Sequence, residues 1–429
     1  MKSKLSSGLA IACVAAVAVG CGSSNNNSGG GGGNNTGNVG KNAKTVTPAQ
    51  AQNAKGNVNW CIGKDTTGAF SQVVKLHNQQ NPNVKVKLTE LPTAADEQRN
   101  QLIQRLRAKS PECDVLGMDV IWTAEFAGQN WLLDVSPAIQ ARQSEFIPST
   151  VNTAKINGKV WAFPFNTNAG FIYYDKSKVK QPPTSWQQAY TEAQKDGHIA
   201  YQGAQYEGLT VNFLELLYAA GGKVLSDDGS KAQIDSPQAQ QVLAFMQKGL
   251  KDGAATKANL TYMEEESKRA WLTNKATLLR NWPYVYTQAV DAKKNFGVMP
   301  LPKWQGGSGA SVLGGYNLGI SAYSKNPGGA LEFINFATGA SAQKKFFIQS
   351  SLPAVLTSTY TDPTVKKKVP FAAELLKAVQ QGKPRPVSPV YPQISEAIFK
   401  NVYSALQGTS PKSALQKMQS QINAALKTF

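Results

Sequence analysis

Asn57-Val-Asn-Trp-Cys-Ile62, Val84-Lys-Val-Lys-Leu88 and Asp114-Val-Leu-Gly-Met-Asp-Val-Ile121 decide the fold, together with what separates them. The first run is apolar enough for a buried strand. The second alternates Val84, Val86 and Leu88 with lysines, the period of a strand with one wet face. After a polar loop over 63–68, Phe70, Val73, Val74 and Leu76 recur at helical spacing, and Asn81-Pro82 ends that helix. Leu102, Ile103 and Leu106 mark a second helix over 96–109, and 114–121 is the third strand. The order β-α-β-α-β implies a parallel sheet with crossover helices. Such sheets bind ligands outside the carboxyl ends of their strands, so the loop after Ile62 and the surroundings of Asp119 form a candidate edge.

Outward from that stretch, 160–174 predicts two strands around Pro164, and Gln181-Pro-Pro-Thr-Ser-Trp186 a turn that starts a helix. Residues 209–220 form an apolar helix closed by Gly221-Gly222. Helices follow over 236–252 and 263–273, strands near 297–302 and 319–322, then helices over 330–337 and 342–349. Ser410 caps the last helix, Pro411 takes its first position, and Leu415, Met418, Ile422 and Leu426 line one face.

The N-terminus carries an address. Lys2 and Lys4 precede an apolar run over 5–20, and Ala18-Val-Gly-Cys21 ends it with small residues. This is an export signal of the bacterial lipoprotein type, residues 1–20, with Cys21 as the lipidation site. A transmembrane anchor would need about 20 apolar residues, and an ordinary cleaved signal is the other reading. Residues 21–56, rich in Gly, Asn and Ser, form a low-complexity tether. The expected location is extracytoplasmic, on a lipid anchor at the membrane face.

Some 373 residues follow the tether, enough for two cores. Lys and Arg exceed Asp and Glu by 18, or by 16 once Lys2 and Lys4 leave. The basic residues are scattered and no nucleic-acid motif appears, so a solvated basic surface is expected, with no nucleic-acid partner. Two histidines and no Cys/His cluster argue against a metal site, neither histidine lies near a nucleophile-elbow pattern, and nothing calls for a cofactor.

At this point the chain resembles a known family, the extracellular solute-binding proteins of ABC importers, the group that contains maltose- and trehalose/maltose-binding proteins. The resemblance spans 57–429 and rests on 114–127, Gly158-Lys-Val-Trp-Ala-Phe-Pro164, Ala276 to Tyr286 with Arg280-Asn-Trp-Pro283, and Gly314-Gly-Tyr-Asn-Leu-Gly-Ile320. It implies an α/β fold of the two-lobed periplasmic-binding-protein type (type II), with parallel-sheet lobes joined by hinge strands. Crossings are expected near Phe163-Pro164, near Met299-Pro300 and near 346–350. The first lobe is then 57–164 with 299–345, and the second 165–298 with 346–429. In the expected strand order Cys61 and Cys113 sit on neighbouring strands, and an oxidising compartment favours their disulfide.

A sugar has hydroxyls that need fixed hydrogen-bond partners and C–H faces that pack on rings, so its site mixes carboxylates, amides and Arg with Trp and Tyr. Asp119, at the end of an apolar strand, is either a ligand for hydroxyls or a helix cap. Asp65 and Thr66 face the cleft or form a plain turn. The resemblance adds Arg99, otherwise an exposed helix arginine, the stacking Trp282, otherwise core packing, Gly315 and Tyr316, and the late Arg385 and Tyr391, otherwise part of a surface loop. Asn166 and Asn168 join them; relatives that take glucose disaccharides often have Asp where Asn168 stands, which leaves the sugar's identity open. Glu264 either binds ligand or serves its helix dipole.

The expected function is capture without chemistry: a monomer that closes over a carbohydrate, such as the disaccharides trehalose or maltose, and docks on ABC permease subunits. A secreted glycoside hydrolase would need two carboxylates flanking one bond, and nothing in the spacing singles out a pair. Adhesion to anionic wall polymers, or capture of a sugar phosphate, amino acid or polyamine, are the other readings.

Overall fold

The computed structural model describes residues 43–307 and 309–428. The signal over 1–20 and Cys21 lie outside the described residues. The chain begins earlier than expected: Val46 is buried, its N–H donates to the Asp134 carbonyl (2.9 Å), and the helix Pro48–Gln52 packs on the helix Pro327–Ala337. The tether expected over 21–56 therefore ends before 43, because Val46 has a core to enter.

Strand β1 (Gly56–Gly63) buries Trp60, Cys61 and Ile62, and β2 (Val84–Leu91) pairs with it in parallel through the whole of its length. β3 (Val115–Asp119) lies parallel on the other side of β1. Helices Ala69–Gln80 and Ala95–Arg107 make the crossovers. After a short hairpin, β4 (Lys155–Ile156) and β5 (Lys159–Val160), the chain enters β6 (Phe163–Asn168). Pro164 fits inside β6 because the register slips beside it, where Tyr316 opposes Asn166 and Asn317 opposes Pro164. A bulge is where a strand tolerates a residue without N–H.

Two residues later β7 (Phe171–Asp175) opens a second sheet, joined by β8 (Ile199–Ala200), β9 (Leu278–Asn281) and β10 (Phe296–Pro300) in the order β10-β7-β9-β8. The chain then returns to the first sheet as β11 (Gly314–Ile320), antiparallel between β3 and β6, which gives β2-β1-β3-β11-β6. The result is a two-lobed α/β fold of the type II binding-protein kind. The sulfurs of Cys61 and Cys113 are bonded, tying β1 to the approach of β3.

Residues 346–350 end the helix Ala340–Ser350, whose Phe346 ring packs on Phe165 (5.1 Å) and Phe70 (6.0 Å) in the first core. Phe371 then meets Phe171 (5.5 Å) and Tyr286 (4.9 Å) at the base of the second sheet, and the helix Ala372–Gln381 packs on β10. Lys383 then bridges to Val312, just before β11. The last two helices, Tyr391–Leu406 and Pro411–Leu426, then pack against Glu207–Ala219 and Pro237–Lys251 in the second core. Among the described residues, no helix is long and apolar enough to cross a membrane.

Candidate functional site

A cavity of about 310 Å³ lies between the lobes. Its floor is the end of β3 with Asp119, the end of β6 with Asn168, and the start of β11 with Gly314, Gly315 and Tyr316. Gly315 takes φ 113°, and a Cβ there would run into the Asn166 carbonyl, so the close pairing of β11 on β6 requires glycine. The first-lobe wall is the loop Lys64 to Thr67 with Phe70 and Gln98. The second-lobe wall is Tyr206, Glu207, Glu264, Glu265, Glu266, Trp282 and Tyr284, and Arg385 comes from the segment before the helix Tyr391–Leu406.

Each candidate has a distinct situation. Asp119 lines the cavity and caps the turn over Val120–Trp122, accepting the Ile121 N–H (3.2 Å), while its carboxylate also pairs with the Arg385 guanidinium (2.6 Å). Asp65 lines the cavity, but its oxygens are engaged by the Thr67 N–H and hydroxyl and the Phe70 N–H (2.8, 2.6 and 2.9 Å). Thr66 lies across the cleft from Glu265 (3.5 Å). The Tyr316 hydroxyl donates to Gln98 (3.0 Å) and its ring meets Phe70 edge-on. Trp282 lines the cavity and is backed by the Arg280 guanidinium, 4.2 Å from the ring centroid. Arg280 is buried and held by Glu215 (2.7 Å) and Gln202 (2.8 Å), so the ring rests on a fixed plate. Glu264 opens the helix Glu264–Leu272, lines the cavity and accepts the Tyr206 hydroxyl (2.7 Å). Burial raises its pKa.

Three candidates do not line the cavity. Arg99 pairs with Glu125 through Nε (2.8 Å) and Nη2, because Ala95 and Gln98 hold the cavity side of their helix and Arg99 is turned away from it. Asn166 is buried and accepts the Tyr316 N–H (3.1 Å), so it braces the floor from below. Tyr391 is fully buried behind the site and donates to Glu207 (2.6 Å).

Glu207 is the principal residue missing from the sequence reading. Arg385 bonds it (2.9 Å), Tyr391 and Ser395 donate to it, and its N–H donates to Asp96 across the cleft (3.1 Å). Burial, with the Asp119 and Asp96 carboxylates nearby and despite Arg385, pushes its pKa up to about 7 from 4.5. A carboxyl whose pKa rises on folding contributes fully below its unfolded value, and the contribution drains away as pH climbs through the folded one. Between pH 4.5 and 7 the loss is about 3 kcal/mol. Glu207→Gln should therefore flatten the fall in stability across that window, read by urea unfolding at several pH values. An unchanged pH profile would show that Glu207 does not carry the proton. Asp96 and Glu264, also raised by burial, keep a residual slope of the same sign.

With this geometry in view, similarity to known proteins is informative. A family model described as bacterial extracellular solute-binding protein matches residues 63–344. A probable ABC transporter-binding protein of Deinococcus radiodurans is 34% identical over 363 residues, covering 79% of this chain and 86% of that protein. The galactooligosaccharide-binding protein of Bacillus subtilis is 25% identical over 82% of this chain and 84% of its own length. Among solved structures, maltose-bound MalE3 of T. maritima superposes with a TM-score of 0.82 at 31% identity, covering 86% of this chain and 99% of that one. A tagatose-bound solute-binding protein of Thermotoga lettingae, at 22% identity and a TM-score of 0.80, shares the fold.

Proposed function

The chain belongs to the bacterial extracellular solute-binding proteins and works outside the cytoplasm as the sugar-binding component of an ABC importer, and on that premise we propose that it is a lipid-anchored monomer that captures a small carbohydrate and presents it to the permease subunits. The observation that carries the reading is the interlobe cavity, whose acids and amides sit beside Trp282, Tyr284 and Tyr316. That mixture suits hydroxyls on one side and C–H faces on the other. A volume of about 310 Å³ lies near the lower end for small-molecule sites, so the ligand is one or two sugar rings, a disaccharide of the maltose or trehalose kind included. The Asp96 carboxylate accepts the Glu207 N–H across the cleft (3.1 Å), a contact that supports a closed form, which a ligand would stabilise by binding it better than the open one. Residues 1–21 supply the export signal and lipid attachment.

A calorimetric and thermal-shift screen of mono- and disaccharides on a soluble chain that starts at Gly22, after the lipidation site, tests the proposal. A cognate sugar at a hundredfold excess over its Kd should stabilise the fold by about 2.7 kcal/mol and change tryptophan fluorescence through Trp282. A broad carbohydrate panel that moves neither signal overturns it.

A further inference from the structure

The cavity is rich in acceptors and poor in donors. Its three tyrosine hydroxyls are already committed as donors: Tyr206 to Glu264 (2.7 Å), Tyr284 to Glu265 (2.7 Å) and Tyr316 to Gln98 (3.0 Å). Each oxygen keeps only acceptor capacity. Six carboxylates line the space against two cations, Lys64 and Arg385. Arg385 is bound on two sides, to Asp119 and Glu207, and offers only its buried, unpartnered Nε; Lys64 is exposed. The Asn168 carbonyl oxygen is buried without a partner and is a further acceptor on the floor.

Glu264 stands out among the acids. Glu265 has Lys268 as counter-ion and Glu266 has Arg269. Among the described residues Glu264 forms no ion pair; the Tyr206 hydroxyl is its close donor, with the Trp282 indole contributing less. Its own backbone N–H and the more distant Arg280 charge help as well, yet this half-buried carboxylate has no counter-ion in contact, and a ligand that supplies one would favour its charged form.

We propose that the cavity is built for a carbohydrate carrying a protonated amine, an amino sugar whose ammonium sits on Glu264, and that it rejects sugars bearing a carboxylate or phosphate. This rests on the sugar-binding reading above. An ammonium brings three donors and a charge to a site that lacks both. An anion would meet the remaining acids with no free buried cation to receive it.

The test is calorimetry on three matched series: glucose, galactose and mannose, each beside its 2-amino and its uronate counterpart. In at least one series the amino sugar should bind about tenfold or more tightly than the neutral sugar, about 1.4 kcal/mol, and the uronate should not bind. In Glu264→Gln the ratio of amino to neutral affinity should fall to about one. The Gln carbonyl can still accept the Tyr206 hydroxyl, so the variant's melting temperature, equal or higher, shows that it folds. Neutral sugars binding as well as amino sugars in every series, uronate binding, or a ratio unchanged in Glu264→Gln overturns the inference and leaves sugar capture standing. No binding by any carbohydrate removes both.

Discussion

Arg385→Met should cost about 3–5 kcal/mol of stability at pH 8, the penalty for stranding buried charges. The guanidinium is almost wholly buried and is the only ion-pair partner recorded for Asp119 and Glu207 among the described residues. Methionine fills its volume and removes both pairs. Asp119 keeps some access to the cavity, whereas Glu207 is enclosed and regains comfort only by taking a proton. The cost should therefore shrink as pH falls below 7, and Glu207→Gln in the same chain should recover part of it, a non-additive pair. Urea unfolding of the two single variants and the double variant at pH 5 and pH 8 measures all of this. A loss of under about 1 kcal/mol at pH 8 would show that the three groups are hydrated, and the account of a closed, dry latch would fail.

Trp282→Ala should weaken the cognate sugar by about 2–4 kcal/mol, roughly 30- to 1,000-fold in Kd. The side chain offers a large flat surface, and Arg280 behind it fixes its plane before ligand arrives, so little order has to be created on binding. Trp304, which packs on Phe245 at 5.2 Å outside the cavity, is the comparison: Trp304→Ala should leave affinity within about twofold, or 0.4 kcal/mol. Equal losses in the two variants would mean that the effect is general loosening of the second lobe, and Trp282 would lose its place as the stacking ring.

The β-α-β-α-β opening was legible because each strand and helix there carries its own period, from Val84, Val86 and Leu88 to Leu102, Ile103 and Leu106. Asp119 was legible as a carboxylate ending an apolar strand. Glu207 carries the same signal at the start of an apolar helix, yet starting that helix at Leu209 leaves it out. Its partner Arg385 is 178 residues away in the chain, and nothing local announces that meeting. For Arg99 both readings stayed open in the sequence, since distance along the chain from Asp119 says nothing about which way a helical side chain turns; here it pairs with Glu125. The partners of Phe346 and Phe371 were not legible, because they are rings contributed by distant strands, Phe165 and Phe171.

The Cys61–Cys113 bond joins two points of one lobe and touches no crossing segment. Oxidation can therefore brace the scaffold without restraining the swing of one half against the other. A reductant should soften that half and leave the gate's range of travel as it was.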